Sequence, residues 1–222
     1  MISSFKKLNW LKKQEEKMTS KDQNKVAEIY GLVLAGGKSR RMGKPKDLIH
    51  WHGKEQRYHA ADLLAGFCDQ VFISCRQDQT QDFDPNYQAL TDTFLNMGPF
   101  GGILSAFHAH RDKAWLVVAC DLPLLDKDSL AKLLESRDSN KLATTYKSPF
   151  DGLPEPFISI WEPKSYPLLL SFLANGITCP RKVLIHSDCL ILDPINPNAL
   201  MNVNSPEDAE IAGKTLQEQK RR

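Results

Sequence analysis

The stretch Leu34-Ala35-Gly36-Gly37-Lys38-Ser39-Arg40-Arg41-Met42-Gly43-Lys44-Pro45-Lys46 packs glycines and cations into one short turn. Glycines let a backbone approach an anion closely, and successive N–H groups in such a turn form an anion-binding nest. Lys38, Arg40, Arg41, Lys44 and Lys46 add ammonium and guanidinium groups that neutralise phosphate oxygens from the sides. Ordinary strand-to-helix turns also carry glycine and exposed lysine, though not at this density. Spacing excludes two familiar phosphate loops. A Walker loop needs glycine, four residues, then Gly-Lys-Ser/Thr. Here Leu32 stands where the first glycine belongs, and Gly43-Lys44 runs into Pro45. Adjacent Gly36-Gly37, with the next glycine at Gly43, does not supply the dinucleotide pattern Gly-x-Gly-x-x-Gly.

A second candidate site is Val117-Val118-Ala119-Cys120-Asp121-Leu122-Pro123. A carboxylate just past a buried apolar strand suits Mg²⁺, a hard cation that takes one or two protein carboxylates together with substrate phosphates and water. Asp121 also suits a plain turn cap before Pro123. The Gly-rich turn Gly98-Pro99-Phe100-Gly101-Gly102 opens a helix that either offers N–H groups to a ligand or merely turns the chain. Asp92, at the end of a strand, either holds a ribose hydroxyl or sits in solvent. His50-Trp51-His52 has the alternate spacing of a zinc pair, but no carboxylate or cysteine completes a set, so a polar loop or edge strand is expected there.

The elements that must position these residues alternate. Strand-like runs lie at Ile29–Ala35, Val71–Cys75, Tyr87–Leu90, Trp115–Cys120, Ala143–Tyr146, Phe157–Ile160 and Leu190–Leu192. Helical patterns lie between them, at Tyr58–Ala65, Gly101–His110 and Asp126–Arg137, the last opened by Asp126 or Asp128 as cap. Pro149–Pro156, with Asp151, Gly152 and Glu155, reads as a loop. The alternation predicts an α/β fold: a Rossmann-like, doubly wound, mostly parallel sheet flanked by helices, with ligands at the carboxyl ends of its strands.

At 222 residues and 41% hydrophobic, the chain is long enough for one enzyme-sized domain, expected over residues 28–222. Residues 1–27 read as a polar, flexible extension without the apolar stretch of a secretory signal. A net charge of +2 gives no reason to invoke a nucleic-acid partner. No apolar run reaches the ~20 residues of a membrane span. Five widely spaced cysteines with no Cys-x-x-Cys pair point to a reducing, cytoplasmic compartment, with Cys75 and Cys120 as buried packing residues.

Taken in order, Leu34-Ala35-Gly36-Gly37, Arg40-Arg41-Met42-Gly43, Lys46, Gly98-Pro99-Phe100-Gly101-Gly102, Cys120-Asp121-Leu122-Pro123 and Asn202-Val203-Asn204-Ser205-Pro206-Glu207 resemble the molybdenum cofactor guanylyltransferases. This is the molybdopterin-guanine dinucleotide biosynthesis protein A family, of the glycosyltransferase-A-like, nucleotide-diphospho-sugar transferase fold. The likeness runs from about Gly31 to Ala212. It implies GMP transfer from GTP to molybdopterin, in its free or molybdenum form, with pyrophosphate released and Mg²⁺ as cofactor. It further implies contact with other cofactor-biosynthesis proteins and with acceptor molybdoenzymes.

By that resemblance Leu34, Ala35, Gly36 and Gly37 hold the nucleotide, together with Ser74, Asp92 and Gly101. Arg41 and Lys46 stabilise phosphate charge, and Asp121 binds the metal. Arg181, Lys182, Asn202 and Asn204 mark the acceptor side. The sequence departs from the family at Ser74, where relatives often carry Asn, and at Pro45-Lys46-Asp47, a form more like the sugar-phosphate nucleotidyltransferases. Gly53-Lys54-Glu55 lacks the usual proline. The alternatives are cytidylyl transfer to the same acceptor, nucleotidyl transfer to a sugar phosphate, and a non-catalytic nucleotide-binding regulatory module. Intact Leu-Ala-Gly-Gly and Gly-Pro-x-Gly-Gly motifs favour GTP. Asp121 and Lys46, which a silent module is free to lose, favour an enzyme.

Overall fold

The computed structural model of the chain describes residues 26–36 and 46–220. The elements in order are β1 (Ile29–Leu34), α1 (Gln56–Ala65), β2 (Gln70–Cys75), β3 (Gln88–Thr91), α2 (Pro99–Ala109), β4 (Ala114–Ala119) and α3 (Lys127–Glu135). They continue with β5 (Ala143–Lys147), β6 (Pro154–Trp161), α4 (Ser165–Ala174), α5 (Pro180–Ile185), β7 (Cys189–Leu192) and α6 (Pro206–Lys220). Short 3-10 helices sit at Lys46–Leu48, Gln77–Asp82 and Pro197–Leu200.

The strands form one seven-stranded sheet in the order β3-β2-β1-β4-β6-β5-β7. β6 runs antiparallel to both its neighbours, while the pairs β1–β2, β1–β4, β2–β3 and β5–β7 are parallel. The expected mostly parallel sheet flanked by helices is what forms. Side chains alternate across it with the strand period of two. Val33, Leu116 and Val118 pack on the face covered by α1 and α3, whereas Leu32, Leu34, Trp115 and Val117 pack on the face covered by α2, α4 and α5. β1 and β4 are central strands enclosed on both faces, which explains their unbroken apolar runs. Each such Val or Leu contributes roughly 1.5–3 kcal/mol by leaving water.

Local chemistry sets several boundaries. Asp126 caps α3 by accepting from the Ser129 N–H at 2.8 Å. α6 opens with a reciprocal pair, in which Ser205 N–H donates to the Asp208 carboxylate and Asp208 N–H donates to Ser205 Oγ. α2 starts at Pro99, two residues before the expected Gly101, because a proline needs no N–H partner in a first turn. Gly98 before it has φ of 55°, in the left-handed region open to glycine.

The largest correction concerns Pro149–Pro156. It is a loop only to Leu153, and β6 begins at Pro154. Two prolines cannot donate to a ladder, and they are accommodated where the β5–β6 register shifts between Thr145 and Lys147. Thr145 Oγ1 caps the irregularity by donating to the Glu155 carbonyl. The His50–His52 segment is a loop closed by a single bridge between His50 and Glu55. His52 stacks on His59 with ring centroids 3.7 Å apart.

Candidate active site

Parallel strands leave a sheet at one edge, so the residues that follow β1, β2, β3 and β4 meet there. They line a cavity of about 650 Å³, a size that suits a nucleotide-scale ligand. Leu34, Ala35 and Gly36 come from the end of β1, Arg76 and Asp78 from beyond β2, Asp92 from beyond β3, and Cys120 and Asp121 from beyond β4. Phe94 to Asn96, Gly98 and Pro99 form a further wall on the way into α2.

The β1 exit is fixed by its neighbours. Ala35 N–H donates to the Ser74 carbonyl at 3.2 Å, and Cys120 N–H donates to the Leu34 carbonyl at 3.2 Å. The Ala35 N–H is therefore spent on the protein and one lone pair of the Leu34 carbonyl is taken, which narrows the means by which Leu34 and Ala35 meet a ligand. Gly36 faces Asp92 closely, since a Cβ on it would lie 3.4 Å from Asp92 Oδ2. Ser74 Oγ donates to Asp92 Oδ1 at 2.7 Å. Burial pushes the Asp92 carboxyl above its ordinary value, with the Ser74 bond and the Arg76 charge opposing the rise. Ser74 thus reaches the cavity wall chiefly as the residue that orients Asp92.

Asp47, just past Lys46, lies on the same cavity, buried, with Arg57 Nη1 at 3.7 Å. Burial also pushes this carboxyl up, and Arg57 opposes it. Arg57 is held in turn by Glu55 at 2.8 Å and lies over the rings of Tyr58 and Phe83.

Around Asp121 the residues come from distant parts of the chain. Val203 N–H donates to the Asp121 carbonyl at 2.8 Å, which seats the Asn202–Asn204 segment beside it. Asn202 Oδ1 is buried with no hydrogen-bond partner among the described residues. From the other side, β6 pairs with β4 so that Val118 faces Ile158, and extending that register sets Asp121 level with Glu155. Glu155 is almost completely buried, and its carboxyl is pushed up by burial and by Asp121, against the pull of Arg181 and the Phe157 N–H. Arg181 donates from Nη2 to Glu155 at 2.9 Å and from Nη1 to Asp151 at 2.6 Å.

The structure therefore brings Leu34, Ala35, Gly36, Ser74, Asp92 and Asp121 to one cavity. Gly101, expected on the nucleotide wall, lies behind it. Its N–H is bonded to the Gly98 carbonyl, and a Cβ on it would come within 2.3 Å of the Phe94 carbonyl oxygen, so it serves close packing of α2. Asn202 lies beside Asp121 rather than on the cavity wall. Asn204 is exposed, and its N–H joins the Asp208 cap. Arg181 is engaged by two carboxylates, and Lys182 is exposed on α5. Gly37 and Arg41 lie outside the described residues, as does the Lys46 side chain.

Sequence reasoning missed Arg76, Asp78 and Glu155. Arg76 follows directly on a strand run, the same signal that marked Asp92 and Asp121. Glu155 lies at the start of an antiparallel strand, whose beginning rather than end reaches this edge.

Among the described residues no helix is long and apolar enough to cross a membrane, and no cluster of three or more His, Cys, Asp or Glu could hold a metal by itself. A mostly parallel sheet with a cavity of this kind across the ends of β1 to β4 defines an α/β protein with its ligand site at the carboxyl ends of the strands. The chain belongs to the MobA-like NTP transferase domain family, whose model matches residues 31–188, and it is a nucleotidyltransferase.

A molybdenum cofactor biosynthesis bifunctional protein of Synechocystis sp. is 38% identical over 194 residues, 87% of this chain and 56% of that protein. The chain thus spans little more than half the length of that relative. A molybdenum cofactor guanylyltransferase of Shewanella sediminis is 30% identical over 82% of this chain and 94% of its own length. Among solved structures, molybdopterin-guanine dinucleotide biosynthesis protein A of Archaeoglobus fulgidus superposes with a TM-score of 0.71 at 19% identity. That overlay covers 86% of this chain and 99% of the other, and it shows the shared fold.

Proposed function

We propose that this protein transfers GMP from GTP to molybdopterin, free or carrying molybdenum, and releases pyrophosphate. The observation that supports it best is the convergence on one cavity of Ala35, Gly36, Ser74, Asp92 and Asp121, residues to which the guanylyltransferase resemblance gives nucleotide or metal roles. The Shewanella relative, named a molybdenum cofactor guanylyltransferase, supports guanylyl transfer to that acceptor, and the Synechocystis relative supports a place in molybdenum cofactor biosynthesis.

In the reaction an oxygen of the terminal acceptor phosphate forms a bond to the α-phosphorus of GTP. The bond from that phosphorus to the α–β bridging oxygen breaks, and the electron pair leaves with pyrophosphate. The nucleophile is already an anion, so no general base is needed. The protein must hold two mutually repelling anions in line and offset the charge that builds on the leaving group. Gly36 and Asp92 hold the nucleoside end. Lys46 and Arg41 neutralise phosphate oxygens.

The residues beside Asp121 fit a hard divalent cation. Its carboxylate and the buried Asn202 Oδ1, which has no hydrogen-bond partner among the described residues, are both oxygen donors, and a single carboxylate with few further protein ligands is the set Mg²⁺ uses when substrate phosphates complete its shell. Mg²⁺ held there would supply charge stabilisation on the phosphate oxygens. Asn202 and Asn204, with Arg181 and Lys182, form the acceptor side of this reading. All five cysteines are without disulfides, which supports a cytoplasmic setting.

The test is pyrophosphate release from purified protein given Mg²⁺, molybdopterin and each nucleoside triphosphate in turn. Turnover with GTP is expected. Turnover with CTP alone, or with glucose 1-phosphate in place of molybdopterin, overturns the reading.

A further inference from the structure

Arg76 on the cavity wall has no part in the roles above. It is the first residue after β2, and its guanidinium makes three aimed bonds. Nε and Nη2 donate to the two oxygens of Asp78 at 3.0 and 3.1 Å, and Nη1 donates to the Gly36 carbonyl at 2.8 Å. A bidentate carboxylate pair fixes the plane of a guanidinium and offsets its charge. Arg76 is therefore less a free cation for phosphate than a directed donor, and what it is directed at is the backbone of Gly36. That carbonyl belongs to the same residue whose Cα closely faces Asp92. A carbonyl oxygen turned into this cavity would repel the oxygens of a nucleotide. The bond to Arg76 engages that oxygen and fixes its direction.

We propose that Arg76, held in plane by Asp78, is a positioning residue for the nucleotide: it fixes the Gly36 peptide in the orientation that admits the ligand beside Asp92. The proposal rests on the nucleotidyl-transfer reading, though not on the identity of the acceptor.

Calorimetric binding of GTP with Mg²⁺ and steady-state turnover test it on the full chain. Arg76→Ala is expected to raise the Kd and KM for GTP about tenfold, with kcat within about threefold of wild type. Arg76→Lys keeps the charge but loses the fork, and is expected to behave like Arg76→Ala. Asp78→Asn is expected to fall between it and wild type. Because Asp78 is exposed, its variant keeps the fold intact whatever Arg76→Ala does to stability. Added guanidinium at millimolar concentration is expected to restore part of the binding in Arg76→Ala. Wild-type affinity in Arg76→Lys shows that charge alone matters and overturns the proposal. A loss in kcat at unchanged KM overturns it too. If the wild type binds GTP and all three variants bind it equally well, this proposal alone fails. If the wild type binds no nucleotide, the functional reading fails and takes this proposal with it.

Discussion

On the β1–β2–β3 side of the cleft, the wall is built from residues at or just past the ends of parallel strands, and bonds between adjacent strand ends join them: Ser74 to Asp92, Arg76 to Gly36. On the β6 side, the groups around Asp121 come from Glu155, Arg181 and Asn202, and they meet only through long-range pairing. The first wall is a consequence of strand direction, since parallel strands deliver all their carboxyl ends to one edge. The second depends on one reversed strand, which delivers its beginning there instead. The two halves should therefore respond differently to substitution, in which substrate they affect as well as in magnitude.

Asp121 stands where the halves join, and its loss should be the most severe. Asp121→Ala is expected to lower kcat by about 10²-fold or more, as loss of an electrostatic stabiliser does. Lys46→Ala should cost a similar factor. Near wild-type turnover in either variant would remove the phosphate chemistry from this edge.

On the β6 side, Arg181→Ala leaves Glu155 buried without its cation. A loss of about 1–3 kcal/mol in unfolding free energy is expected. Urea titration reads the stability, and kinetics should show a raised KM for the acceptor with the affinity for GTP unchanged. A matching loss of GTP affinity would erase the division between the halves.

On the nucleotide side, Gly101→Ala forces a methyl against the Phe94 backbone, and about 1–3 kcal/mol of overpacking strain is expected. Gly102→Ala should cost less. A Cβ there would come within 2.6 Å of Ser74 Oγ and 2.8 Å of Leu34 Cδ2, and side chains give way more readily than backbone. Equal melting temperatures for the two variants would contradict this account of α2 packing. Ser74→Ala should weaken GTP binding by a few-fold, the worth of one hydrogen bond of about 1 kcal/mol, and leave the acceptor KM alone.

A separate effect concerns pH and belongs to neither half. Burial, reinforced by His52, pulls His59 from its ordinary 6.5 down to about 4. The unfolded chain then binds a proton that the native state refuses between those values, so stability is full above about pH 6.5 and falls as pH drops toward 4. With His59 partly exposed, about 1–2 kcal/mol is at stake. His59→Gln should flatten that limb of a urea stability profile, and an unchanged slope would locate the acid sensitivity elsewhere.

This contrast also decides how much was legible in the sequence. Gly36, Asp92 and Asp121 each close an apolar run, so strand direction alone predicts that they share an edge. The Ser205–Asp208 cap is equally local and equally visible. Glu155 was hidden because the flanking prolines read as loop until a shifted register made room for them in a strand. The Arg76 clamp joins Asp78 two residues away to Gly36 at a separation of 40, and no period or motif encodes that second contact. Gly101 carries the spacing of a ligand turn but serves backbone packing, a distinction that only close distances reveal.

The most direct test of the central claim is label transfer with purified protein, Mg²⁺, molybdopterin and GTP labelled on either its α- or its γ-phosphate. The α-label is expected to enter the molybdopterin product while the γ-label leaves in pyrophosphate. Transfer of γ-label to the acceptor, or release of labelled GMP with no acceptor product, would contradict it.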